Sequence, residues 1–112
     1  MIQKAMLCIM ILIIVSGCSA QNGKNEFKEN ITQLEQLLNN KDTVSTKVKV
    51  EELLKVYKKN EWKLQLLGDE GEYERLHESI QRIIVAIDEE DYTEAKIELS
   101  TTKTILEDIY SL

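Results

Sequence analysis

The 112-residue chain has no proline, one tryptophan, one phenylalanine, one histidine, two cysteines and four glycines. Each shortage excludes something. Without proline, and with Gly68 and Gly71 the only glycines after Gly23, long helices meet few breakers. One histidine cannot complete the paired Glu-x-x-His motifs of a di-iron helical bundle, although Glu74-Arg75-Leu76-His77 supplies the spacing once. No glycine-rich loop is present to cradle phosphate, and no glycine-framed elbow to present a nucleophilic serine to His77. Cys8 and Cys18 give no disulfide framework, so the domain must fold on packing alone. No apolar run approaches the roughly 20 residues that cross a bilayer.

The longest apolar run is Ala5 to Val15, preceded by the positive charge of Lys4 and followed by Ser16-Gly17-Cys18. Its order of charged, apolar and small residues, and its length, suit the hydrophobic region of an export signal. The stretch Val15-Ser16-Gly17-Cys18 resembles the lipobox of bacterial lipoproteins. That resemblance implies cleavage between Gly17 and Cys18, diacylglycerol on the Cys18 thiol and a further acyl chain, such as palmitate, on the new amino group. Two other readings stay open: a plain secretory signal with Cys18 as an ordinary small residue, and an uncleaved short anchor. All three put the bulk of the chain outside the cytoplasm. The expected layout is a lipoprotein signal peptide over 1–17, a lipidated Cys18 and polar tether over 18–25, and a helical domain over 26–112. The expected address is the extracytoplasmic face of a bacterial cell membrane.

Charge is unevenly divided. Ser19 to Gly68 holds 9 basic and 7 acidic residues, net +2, whereas Asp69 to Leu112 holds 4 basic and 13 acidic, net −9. The acidic half would repel phosphate-rich nucleic acid, which is bound by clustered Lys and Arg.

Apolar spacing argues for helices throughout. Phe27, Ile31, Leu34 and Leu38 form one stripe in a helix from about Asn25, a candidate cap, to Asn40. A second helix, roughly Ser45 to Leu67, carries Val50, Leu53, Leu54, Tyr57, Leu64 and Leu67, with Asn60 and Glu61 interrupting the stripe. Val44, Val48 and Val50 would also suit a short strand, but no second alternating run exists to pair with it. Asp69 and Glu72 form a capping-box pattern before the stripe Tyr73, Leu76, Ile80, Ile83 and Ile87, widened by Ile84. Asp91 and Glu94 cap a fourth helix with Tyr92, Ala95, Leu99, Thr102, Leu106 and Ile109 on one side. Only Asp88 to Asp91 separates the last two helices, so they should form an antiparallel hairpin over about 70–112. The expected fold is all-α, a small antiparallel bundle of three to four helices.

Candidate functional residues are few. Asp88, Glu89, Glu90 and Asp91 read either as a solvated loop with one helix cap or as a cation site, but the alternating ligands and turn glycine of a calcium loop are missing. Trp62 lies beside the main stripe of the second helix, as a core residue or an exposed recognition anchor, the core being favoured by its apolar area. His77 reads as a surface or half-buried side chain. Thr102 either leaves a gap for a partner helix or bonds its own i−4 carbonyl. No catalytic, metal or cofactor residues are assigned.

Trp62, the break at Gly68-Asp69, the pattern Tyr73-x-x-Leu76-x-x-Ser79-Ile80, the acidic turn Asp88 to Asp91, then Tyr92-Thr93-Glu94-Ala95 and Leu99 together resemble the bacterial family called domain of unknown function 4363. The likeness covers about Val50 to Leu112, with Glu70 standing where the family pattern places a histidine. It implies an N-terminal hydrophobic anchor followed by a short helical domain, and leaves the activity unassigned. The functional expectation is an envelope module held on the membrane by a lipid anchor on Cys18, binding another envelope protein through the acidic hairpin (Asp88, Glu89, Glu90 and Asp91) or through Trp62. The alternatives are a structural spacer, an immunity or inhibitor protein, and a carboxylate-dependent hydrolase of cell-wall polymers.

Overall fold

Two aspartates shape one end of the molecule. In the computed structural model, which describes residues 23–111, helix α1 occupies residues 23–39, α2 Thr43–Leu67, α3 Glu70–Asp88 and α4 Tyr92–Tyr110. At the end of α1 the Asp42 amide donates to the Leu37 carbonyl and the Lys41 amide to Leu38; at the end of α3 the Asp91 amide donates to Ala86 and the Glu90 amide to Ile87. Both are Schellman turns, in which the residue after the helix end adopts the left-handed conformation. Here those residues are Lys41 (φ 55°) and Glu90 (φ 57°), neither of them glycine. In each turn the aspartate that closes one helix also caps the next: Asp42 accepts from the Ser45 amide, Asp91 from the Glu94 amide. A left-handed L-residue costs about 1–2 kcal/mol, and glycine would return part of that gain through its freer unfolded chain. Lys41→Gly and Glu90→Gly should therefore each stabilise the fold by about 0.5–1 kcal/mol, read as a higher urea midpoint. A lower midpoint would show that the Lys41 or Glu90 side chain contributes more than its backbone strain costs.

At the other end, Asp69 and Glu72 form the expected capping box, each side chain accepting from the other's backbone amide. The chain thus runs up, down, up and down, with α1 against α2 and α4, and α3 between α2 and α4. Contacts show this order: Glu26 pairs with Lys59 at 2.9 Å, Tyr57 stacks on Tyr73, Ser79 meets Thr102, and Phe27 meets Tyr110. The hydroxyls of Thr43 and Tyr92 bond to each other and tie the two Schellman turns together. No strand occurs among the described residues, so Val44, Val48 and Val50 belong to α2.

The predicted stripes form the core: Phe27, Ile31, Leu34, Leu38, Val50, Leu53, Tyr57, Leu64, Leu76, Ile80, Ile83, Ile87, Ala95, Leu99, Leu106 and Ile109 are all buried, with Leu54, Leu67, Tyr73, Ile84 and Tyr92 packed against them. Four expectations need correction. Asn25 does not cap α1, because residues 23–25, expected as the end of the tether, are already helical. Helix α2 starts at Thr43 and not Ser45, since Asp42 provides the cap. Asn60 does not interrupt the stripe of α2 but continues it, buried, with its amide donating to the Val56 carbonyl at 2.8 Å. Trp62 is no core residue: it is 59% exposed.

Gly23 sits where α1 meets this polar position. A Cβ there would lie 2.9 Å from Asn60 Oδ1 and 3.1 Å from the Tyr110 hydroxyl, so glycine permits the close approach. Residues 1–22, including Cys8, Gly17 and Cys18, lie outside the described residues.

Candidate interaction surfaces

The acidic turn is held rigidly by backbone and presented to solvent. Asp88, Glu89, Glu90 and Asp91 are all exposed. Their roles differ, however. Asp91 spends one carboxylate oxygen on the α4 cap, accepting from the Glu94 amide at 3.1 Å. Glu90 occupies the left-handed position. Beside them α3 and α4 leave a shallow depression with Val85 and Ala86 at its floor and Arg82, Glu89, Asp91 and Glu94 around it. Val85 is 54% exposed, an apolar side chain within an acidic rim. Its only trace in the sequence is an extra aliphatic residue between Ile84 and Ala86, off the stripe.

Trp62 lies elsewhere. It is 19 residues along α2 from Thr43, which bonds Tyr92 beside the acidic turn, so about 28 Å of helix separates them. The structure therefore does not bring Trp62 together with Asp88, Glu89, Glu90 and Asp91; they belong to two surfaces. Trp62 has Leu66 as its neighbour one turn on, 76% exposed, and the Lys63 ammonium 5.4 Å from its ring centre.

Near the other end, α1 and α4 border a groove with Phe27, Ile31 and Leu106 as its floor and Lys24, Lys28 and Lys103 on its rim. Pairing of the first and last helices could not be read from either stripe alone. Tyr110 flanks this groove, its hydroxyl buried without a hydrogen-bond partner among the described residues. Burial, assisted by the Glu26 carboxylate, pushes that hydroxyl up to about 12.

Residues with chemical potential elsewhere are used structurally. His77 is exposed and lies flat on Tyr57, 5.3 Å between ring centres, with Tyr73 stacked on the same tyrosine. Burial and the bond with Tyr73 hold the Tyr57 hydroxyl far above the ordinary tyrosine range. The Tyr73 hydroxyl donates to Glu61, which raises its own value. Ser79 makes no bond to His77; it donates to the Glu98 carbonyl at 3.1 Å and meets the Thr102 hydroxyl at 2.5 Å. With Ser79 donating to Glu98, the single Thr102 proton goes to Ser79, and the Thr102 hydroxyl lies 2.9 Å from its own i−4 carbonyl, so the gap reading of this fully buried residue is closed. Among the described residues no three His, Cys, Asp or Glu side chains gather as a metal site, and the acidic turn is no exception. No described helix is long and apolar enough to cross a membrane.

The model of one protein family, described as a domain of unknown function (DUF4363), matches residues 17–112. This is a longer match than the Val50 to Leu112 pattern suggests, and it takes in α1 and α2 as well as the hairpin. No curated protein and no solved structure matches the chain.

Proposed function

We propose, for a chain that belongs to the DUF4363 family, that it is a lipid-anchored helical module on the outer face of a bacterial membrane, recognising an envelope protein through the α3–α4 turn. The observation that carries this reading is the turn itself: four exposed acids beside the exposed Val85, braced on both sides by Schellman and capping bonds. An apolar centre within a charged rim is the composition of a specific protein-binding surface. Residue 23, where the described bundle begins, lies beside Asn60 and Tyr110 at the opposite end. The anchor rests on the sequence Val15-Ser16-Gly17-Cys18.

Cross-linking in living cells, with tagged wild type beside Cys18→Ala, tests both parts. A discrete protein captured by the anchored form alone is the expected result. Against that partner, the combined change Asp88→Asn, Glu89→Gln and Asp91→Asn should slow association at low salt by roughly tenfold while the dissociation rate stays nearly constant, since exposed charges act mainly on encounter. Asparagine preserves the cap at position 91, so loss of fold does not confuse the result. An unchanged association rate would remove the turn as the binding surface.

A further inference from the structure

Helix α2 carries large apolar side chains on two sides, the outer one shared with charge. Its inner side carries Val50, Leu53, Tyr57 and Leu64; its outer side, read at positions 44, 48, 51, 55, 58, 62 and 66, carries Val44, Val48, Glu51, Lys55, Lys58, Trp62 and Leu66, all exposed. Four of the six exposed large apolar side chains on the bundle, Val44, Val48, Trp62 and Leu66, therefore fall on one line. They form two pairs one turn apart, Val44 with Val48 and Trp62 with Leu66, separated by Glu51, Lys55 and Lys58, so Trp62 and Leu66 make an exposed apolar spot bordered by lysine.

We propose that the outer stripe of α2 seats the bundle on an anionic lipid surface, with Trp62 and Leu66 entering the headgroup boundary and lysines facing the phosphates. This rests on the reading of a membrane-anchored chain and adds how the bundle lies on that membrane. Three features select lipid over other occupants. The first is residue chemistry: a tryptophan and aliphatic residues flanked by lysine is the pattern of helices that lie in the interface plane. The second is charge. Helix α2 carries six lysines against three glutamates, and Lys55, Lys58, Lys59 and Lys63 cluster around Trp62. Lys59 shares its charge with Glu26 at 2.9 Å, both exposed enough for the pair to exchange with phosphate. The half of the chain from Asp69 onward, net −9, would be repelled by the same surface. Because α4 is diagonal to α2 across the bundle, placing α2 on the lipid turns the outer face of α4 away from it. The third is tether length. Only residues 19–22 separate Cys18 from the described bundle, so an anchored chain holds α2 within reach of the headgroups and at a high effective concentration.

Trp62 is the only tryptophan and so reports its own surroundings. The full chain, purified from the membranes of cells that produce it, is reconstituted into phosphatidylcholine vesicles with or without about one-third phosphatidylglycerol, a mole fraction chosen to give a negative surface potential. Expected are a blue-shifted Trp62 emission and quenching by lipids brominated on the acyl chain in the anionic vesicles. That quenching should fall roughly twofold or more in Lys55→Gln/Lys58→Gln/Lys59→Gln, and equally in wild type at about 0.5 M salt, where screening shortens the reach of the charges. Trp62 emission that stays water-like and unquenched on anionic vesicles overturns the proposal. So does a blue shift that follows protein density and not lipid charge, which would make a second copy of the chain the occupant. The mass of the peptide bearing Cys18 reads the anchor separately: a lipidated Cys18 with a water-exposed Trp62 ends the docking proposal and keeps the anchor, while an unmodified Cys18 with a quenched Trp62 does the reverse.

Discussion

Ile80→Ala should lower the unfolding free energy by about 2–5 kcal/mol, much of the about 5–15 kcal/mol that a domain of this size has in total. Ile80 is fully buried in the middle of α3. All four helices contribute side chains to the same core cluster, so the walls of the new cavity are held from every side and collapse little. The loss should appear as a fall in thermal midpoint of about 8–40 °C by circular dichroism, at about 4–8 °C per kcal/mol for a small domain. Ile97→Ala supplies the control. Its side chain is the same but 54% exposed on α4, and the expected change is within about 0.5 kcal/mol. Similar effects at both positions would mean that the core is not the one described.

Phe27→Ala should cost about 3 kcal/mol, the lower part of the about 3–5 kcal/mol seen for buried aromatic residues. The reason is the groove between α1 and α4. Phe27 is 1% exposed but forms part of the groove floor, and its ring meets Tyr110 at 6.3 Å, tilted by 53°. Water can reach a space opened there, so the cavity contribution is smaller than at Ile80. The substitution also asks whether α1 is integral to the bundle. With Asn60, Lys49 and Lys59 of α2 and Tyr110 of α4 all engaged against it, α1 should unfold with the other helices in one transition. Hydrogen exchange that speeds up only in α1 while α2 to α4 stay protected would show it to be a separate unit.

Much of this architecture is legible in the residues, for a definable reason. Stripes at intervals of three and four report burial directly, which is why α3 and α4 match expectation almost residue by residue and the Asp69–Glu72 box lies in its predicted place. The failures come from polar residues that packing reuses. Asn60 looks like an interruption, but a buried asparagine becomes acceptable when its amide reaches the Val56 carbonyl, and the sequence does not show that bond. Ser79, a small hydroxyl beside Ile80, belongs to the core because Thr102 and the Glu98 carbonyl meet it from α4, a relation between two helices and not a property of either. Trp62 misleads in the other direction: its size argues for burial, while its position two residues from both Asn60 and Leu64, about 200° round the helix from each, places it outside. The candidate surface was half legible. The acids of the turn stand out as a run, but Val85, Arg82 and Glu94 join them only through hairpin geometry, and the distance from Trp62 to the turn follows only from the direction in which α2 runs.

The hydroxyl pair between α3 and α4 also limits how the hairpin can move. Sliding one helix past the other by a single turn, about 5.4 Å, would carry Ser79 off Thr102 and set it against the aliphatic side chains Leu99 or Leu106 of the α4 stripe. A buried hydroxyl left without its partner costs about 1–3 kcal/mol. Smooth aliphatic seams would offer no such penalty. Ser79 and Thr102, with the Glu98 carbonyl, therefore act as a latch that favours one vertical register of α3 on α4.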